Sequence, residues 1–193
     1  MKTLLKTTVT AITLYCIMAF ASMNANKETH IATTLEPSYI ASIIDPEIVK
    51  PELPKNQTGL FLSKLGYKES GNRYDVVNSY GYMGKYQFGR STLEGLGYYI
   101  SKEDFLNSPA IQEKAILDLL RHNRRILKRY IVKYNDSIVN GVYITESGVL
   151  AAAHIAGPGN VKKFFKQGKD FKDGYGTTMT SYMNYFAGYE LDI

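Results

Sequence analysis

The chain has 193 residues, of which 45% are hydrophobic and 21% charged. That is enough for one domain with a real core, and it excludes wholesale disorder. The net charge of +5 draws the chain mildly toward anionic polymers without choosing between wall material and nucleic acid. The only cysteine is Cys16, so beyond the N-terminal segment no thiol is left for a disulfide or a cysteine-held metal. Tyrosine is abundant at 16 copies and tryptophan is absent. Tyrosines pack a core, and they also suit a polar, ring-shaped ligand such as a sugar.

The N-terminus has the three parts of a secretory signal. Lys2 and Lys6 form a positive start, Thr7 to Phe20 is mostly apolar, and Ala19-Phe20-Ala21 sets small residues at the cleavage positions. Cleavage is expected after Ala21, giving a signal segment at 1–21, a periplasmic or secreted product and a mature charge nearer +3. The apolar run is short for a bilayer span, so the membrane enters only through an uncleaved signal. Residues 22–56 read as a linker or ordered arm, because Pro37, Pro46, Pro51 and Pro54 forbid a long helix.

The domain is expected over 57–193. Its first helix should run from Gln57 to Glu69, with Asn56 as N-cap and Gly71 ending it. Leu62, Leu65 and Glu69 then share one face. Glu69 sits on the apolar stripe at the negative end of the helix. Burial and the helix dipole both favour its protonated form there, leaving an acid able to donate a proton near neutral pH. A frayed helix end would instead turn Glu69 to solvent. The segment Asn72 to Phe88 follows, with Asn78-Ser79-Tyr80-Gly81 as a turn. Arg73 to Asn78 and Tyr82 to Phe88 are expected to pair as a short irregular hairpin over Glu69, lining a cleft with polar groups.

Arg90 to Leu96 reads as a second helix. Pro109 opens a long one, with Ile111, Ala115, Ile116, Leu119, Leu120, Leu127, Tyr130 and Ile131 as its apolar stripe. The cations Arg121, Arg124, Arg125, Lys128 and Arg129 read as a solvated face or as a contact for anionic wall polymer. Thr145 caps a helix from Glu146 to Ala156, Gly157-Pro158-Gly159 breaks it, and helices from Asn160 to Gln167 and Thr180 to Phe186 complete the chain. The pattern is α+β: mainly helical, with a small irregular β-hairpin over the cleft.

Three spaced segments resemble the soluble lytic transglycosylase branch of the lysozyme-like superfamily. They are Glu69-Ser70-Gly71-Asn72, Gly84-Lys85-Tyr86-Gln87-Phe88, and Ala152-Ala153-His154-Ile155-Ala156-Gly157-Pro158-Gly159. The tail Asp173-Gly174-Tyr175-Gly176-Thr177, followed by Ser181-Tyr182-Met183, is similar to the phage-type and secreted members. The likeness spans about residues 57–193 and implies a lysozyme-like fold. It implies cleavage of the bond between N-acetylmuramic acid and N-acetylglucosamine in peptidoglycan glycan strands. Protonated Glu69 would donate to the glycosidic oxygen and then take the proton from the sugar's own C6 hydroxyl. That hydroxyl closes on C1 to give a 1,6-anhydro product, with no metal or cofactor. The resemblance gives Gln87 a hold on the glutamate or a sugar, Asn78 a contact to the N-acetyl group, and Tyr86 a place in the cleft. His154 and Ile155 stand where relatives carry a Tyr-Asn pair whose tyrosine steadies the glutamate. His154, Tyr182 or Tyr143 would have to replace it. The rival readings are a hydrolytic muramidase assisted by Asp75 or Glu94, and a non-catalytic wall-binding module. The export signal argues against a nucleic-acid partner.

Overall fold

The computed structural model describes residues 56–193. The expected signal segment and all of the expected linker except Asn56 lie outside the described residues. The described residues are mainly helical with one small antiparallel sheet, as an α+β reading requires. The elements are α1 (Thr58–Ser70), α2 (Arg90–Gly95), α3 (Lys102–Leu106), α4 (Pro109–Tyr134), β1 (Ile138–Val139), β2 (Val142–Tyr143), α5 (Glu146–Gln167) and α6 (Met179–Tyr185).

Helix α1 begins one residue later than expected. Asn56 still serves its start, since its Oδ1 accepts from the Thr58 backbone N–H at 3.0 Å. Phe61, Leu62 and Leu65 are buried, and Gly71 caps the far end in the left-handed conformation. In α4, Pro109 occupies the first turn, and the predicted apolar stripe is buried except for half-buried Ile111. The cations lie on the outer face, where Arg121 pairs with Asp118 at 3.3 Å and Arg124 with Glu146. Thr145 caps α5 by accepting from the Gly148 N–H at 3.1 Å. The Ala-rich half of α5 is the centre of the core, with Val149 to Ala153 all buried. Helix α6 packs so closely on it that a Cβ at Gly148 would stand 2.5 Å from the Met183 carbonyl oxygen. Gly157 (φ 73°, ψ 154°) breaks α5 where expected.

Two elements depart from the sequence reading. Residues 73–88 do not pair as strands. They form a coil held by isolated bridges, Val77 with Met83 and Met83 with Phe88. Side-chain bonds from Gln112 compete successfully with a ladder here, as described below. The regular sheet is instead β1–β2, paired Ile138 with Tyr143 and Val139 with Val142. Asn140 and Gly141 form its two-residue turn with positive φ (50° and 79°), the backbone that Asn-Gly favours. Helix α3 was also not anticipated. Ser101 caps it, accepting from the Asp104 N–H at 3.0 Å and donating to Asp104 Oδ2 at 2.6 Å.

Candidate functional site

Glu69 leaves the last turn of α1 with only 13% of its side chain exposed. The turn after it is fixed through Ser70, whose Oγ donates to the Lys85 carbonyl at 2.8 Å and accepts from the Arg73 N–H at 3.0 Å. The end of the helix and the 73–88 coil are therefore one unit. Gln112, fully buried on α4, holds that coil from beneath. Its Oε1 accepts from the Lys85 N–H at 2.8 Å, and its Nε2 donates to the carbonyls of Tyr74 (3.0 Å) and Phe105 (2.8 Å). One amide side chain thus satisfies two backbone groups of the coil, the Lys85 N–H and the Tyr74 carbonyl, and ties them to the Phe105 carbonyl of α3.

The Glu69 carboxylate meets two groups from distant parts of the chain. Tyr182 on α6 donates its hydroxyl to Glu69 Oε1 at 2.6 Å. His154 on α5 brings Nε2 to 3.8 Å from the same oxygen, too long for a hydrogen bond. Among the described residues nothing hydrogen-bonds Glu69 Oε2. Burial, then the negative charge of Glu69, push the Tyr182 phenol far above its usual range, so it stays a donor. A short bond to a carboxylate from a locked phenol fixes the orientation of Glu69. Tyr182→Phe keeps the ring and removes this bond. For a catalytic Glu69 this predicts a fall in kcat of about 10–100-fold, the equivalent of ~1.5–3 kcal/mol for a hydrogen bond to a charged group, with KM little changed. Unchanged kcat would remove Tyr182 from any positioning role.

Burial lowers the His154 pKa below the usual histidine value, and the charge of Glu69 opposes this only in part. Its ring is 6% exposed and edge-on to Phe88, with centroids 6.2 Å apart. Because the folded imidazole binds its proton less readily than the unfolded one, unfolding takes up a proton in the window between the folded and unfolded pKa values. Stability from this group is fully present above the unfolded value of about 6.5 and is lost as the pH falls from there toward the folded pKa. Urea midpoints between pH 7.5 and 5 should drop for the native chain and drop less for His154→Gln. Parallel curves would rule the effect out.

Glu69 and His154 line a cavity of about 240 Å³ together with Asn78, Gln87 and Ile155. Tyr80 and Tyr82 from the 73–88 coil, and Phe171, Asp173, Gly174 and Tyr175 from the loop after α5, complete the lining. Asn78 is a turn former as well as a lining residue, since its Oδ1 accepts from the N–H groups of Tyr80 (2.9 Å) and Tyr82 (3.1 Å). Gln87 donates to the Gly84 carbonyl at 2.8 Å rather than to Glu69.

The chain matches no family model, and no curated protein or solved structure is significantly similar to it.

Of the residues singled out in the sequence, Glu69, Asn78, Gln87 and His154 reach the cavity and Tyr182 stands behind Glu69. Tyr86 does not line the cleft. It is completely buried and donates to Glu113 Oε2 at 2.7 Å, where Lys85 and Tyr74 also bond the same carboxylate. A tyrosine next to a lysine–glutamate pair gains more by joining it than by facing solvent. Tyr143 is exposed and donates to Asp136, away from Glu69. Asp75 and Glu94 are exposed and outside the cavity lining. The carboxylate that does line it is Asp173. Its turn-forming Asp-Gly sequence was visible, but its place in the same cavity lining as Glu69 was not. Among the described residues no group of three His, Cys, Asp or Glu side chains is placed to hold a metal ion.

Proposed function

We propose that the chain is a peptidoglycan lytic transglycosylase with a lysozyme-like domain, exported to the wall it cuts. The observation that carries this reading is the state of Glu69. It is a mostly buried carboxyl in a cavity wall, with Oε1 engaged by Tyr182 and Oε2 left to meet a ligand. One such group suffices when the substrate supplies its own nucleophile. Protonated Glu69 gives its proton to the glycosidic oxygen, and the N-acetyl group of the muramic residue shields the electron-poor C1. Glu69, now a carboxylate, then takes the C6 hydroxyl proton as that oxygen bonds to C1. Tyr182 holds the carboxyl in place through both proton transfers. Asn78 and Gln87 offer amide groups to the sugar's N-acetyl and hydroxyl groups, and the apolar faces of the cavity tyrosines offer stacking surfaces.

A hydrolytic muramidase is the second reading, and Asp173 is what favours it. A second carboxylate lining the same cavity is the kind of group that activates water. Yet Asp173 Oδ1 is already committed to the N–H groups of Tyr175 (2.9 Å) and Thr177 (2.7 Å). Mass spectrometry of soluble products from purified peptidoglycan separates the two. Anhydro-ended muropeptides support transglycosylation, and products heavier by one water support hydrolysis. No product, under conditions where a known wall enzyme works, would leave a binding module.

A further inference from the structure

Two loops that line the cavity touch each other. The rings of Tyr80 and Tyr175 meet edge to face, with centroids 5.0 Å apart at 81°. Tyr175 OH and Ser79 Oγ are 2.9 Å apart, joining residues 96 positions distant in the chain. Tyr80 OH also donates to the Gly174 carbonyl at 3.3 Å. Gly174 is held against the Tyr80 ring, since a Cβ there would be 2.9 Å from two of its atoms. Each side is braced from within: Asn78 ties the first loop through two backbone N–H groups, and Asp173 does the same for the second.

Two rings in contact leave no gap for a sugar between them. A glycan lying in the cavity cannot pass this point while the contact is made. The cavity of about 240 Å³ is also below the roughly 300–1,000 Å³ of ordinary ligand pockets, so it seats a short piece of strand. Resting on the glycan-cleaving reading above, we propose that Tyr80 and Tyr175 form a clasp that stops the strand. The site then takes glycan ends and rejects strand interiors, and these two tyrosines set that specificity.

Binding stoichiometry tests this without turnover. Glu69→Gln protein is titrated calorimetrically with uncrosslinked glycan strands of two lengths. A closed clasp gives the same number of proteins per strand for both lengths, because each strand has the same ends. Adding Tyr80→Ala and Tyr175→Ala opens the clasp, and the number should then rise with strand length. Tyr175→Phe, which loses the Ser79 contact but keeps the ring pair, should still count ends, and it guards against a variant that fails to fold. Length-dependent stoichiometry in the clasped protein would overturn the proposal, as would identical behaviour in the opened one. Absence of any glycan binding would overturn it together with the glycan reading. Length-independent binding alongside water-added products from the active chain would sustain the clasp and replace transglycosylation by hydrolysis.

Discussion

On the proposed transglycosylase reading, Glu69→Gln should lower the initial rate of anhydromuropeptide release by at least 10²–10⁴-fold, the usual contribution of a positioned proton donor and acceptor. Glutamine preserves the volume of the side chain and can still accept from Tyr182, so the local packing is retained. What is lost is the proton that must reach the glycosidic oxygen and the base that must take it from the C6 hydroxyl. Among the described residues the other carboxylate lining the cavity is Asp173, whose Oδ1 already accepts from two backbone N–H groups of its own loop. The check is product release measured beside a thermal melt of the same preparation. A variant that melts like the native chain yet keeps more than a tenth of the rate would show that Glu69 is not the proton carrier.

Gly84→Ala should be the most damaging single methyl in the 73–88 coil. Gly84 has φ 73°, and a Cβ there would lie 2.1 Å from Gln112 Oε1 and 2.6 Å from its Cδ. A left-handed backbone costs a residue with a Cβ roughly 1–2 kcal/mol. Displacing Gln112 adds a buried amide and its backbone partners left unpaired, about 1–3 kcal/mol more. We expect a loss of about 3 kcal/mol in urea unfolding, and reduced activity because Gln87 and Asn78 lie on the coil that Gln112 holds. Gly81 is the control. It also has positive φ (84°), but nothing lies within 4 Å of its would-be Cβ, so Gly81→Ala should cost only the backbone part. Equal losses at the two positions would show that the Gln112 contact carries no stability.

Much of the domain was legible because its signals are local. The apolar stripe of α4, Pro109 at its start, Thr145 before α5 and the Gly157 break each depend on a few neighbouring residues, and each stands as read. Val139-Asn140-Gly141-Val142 carried an equally local hairpin signal that the reading passed over. Ser101 three residues before Asp104 was likewise a legible start for α3. The reading of residues 73–88 as a hairpin had another fault. Its turn at Asn78 was correct, but the competitor for its backbone groups was Gln112, about thirty positions away and invisible to any pattern within the segment.

The candidate site divides along the same line. The sequence by itself put Glu69 on the buried face at the end of a capped helix, since helical spacing and a terminating glycine are properties of adjacent residues. It could also name Tyr182 and Tyr143 as rivals for steadying Glu69, but it could not choose between them. Only the tertiary structure decided that Tyr182 reaches the carboxylate, that Tyr86 turns inward to Glu113, and that Asp173 and Tyr175 join the lining of the cavity. Those outcomes depend on which helices pack together and on the desolvation and hydrogen bonding each side chain then meets. These are sums over contacts between segments far apart in the chain, and no short stretch of residues contains them.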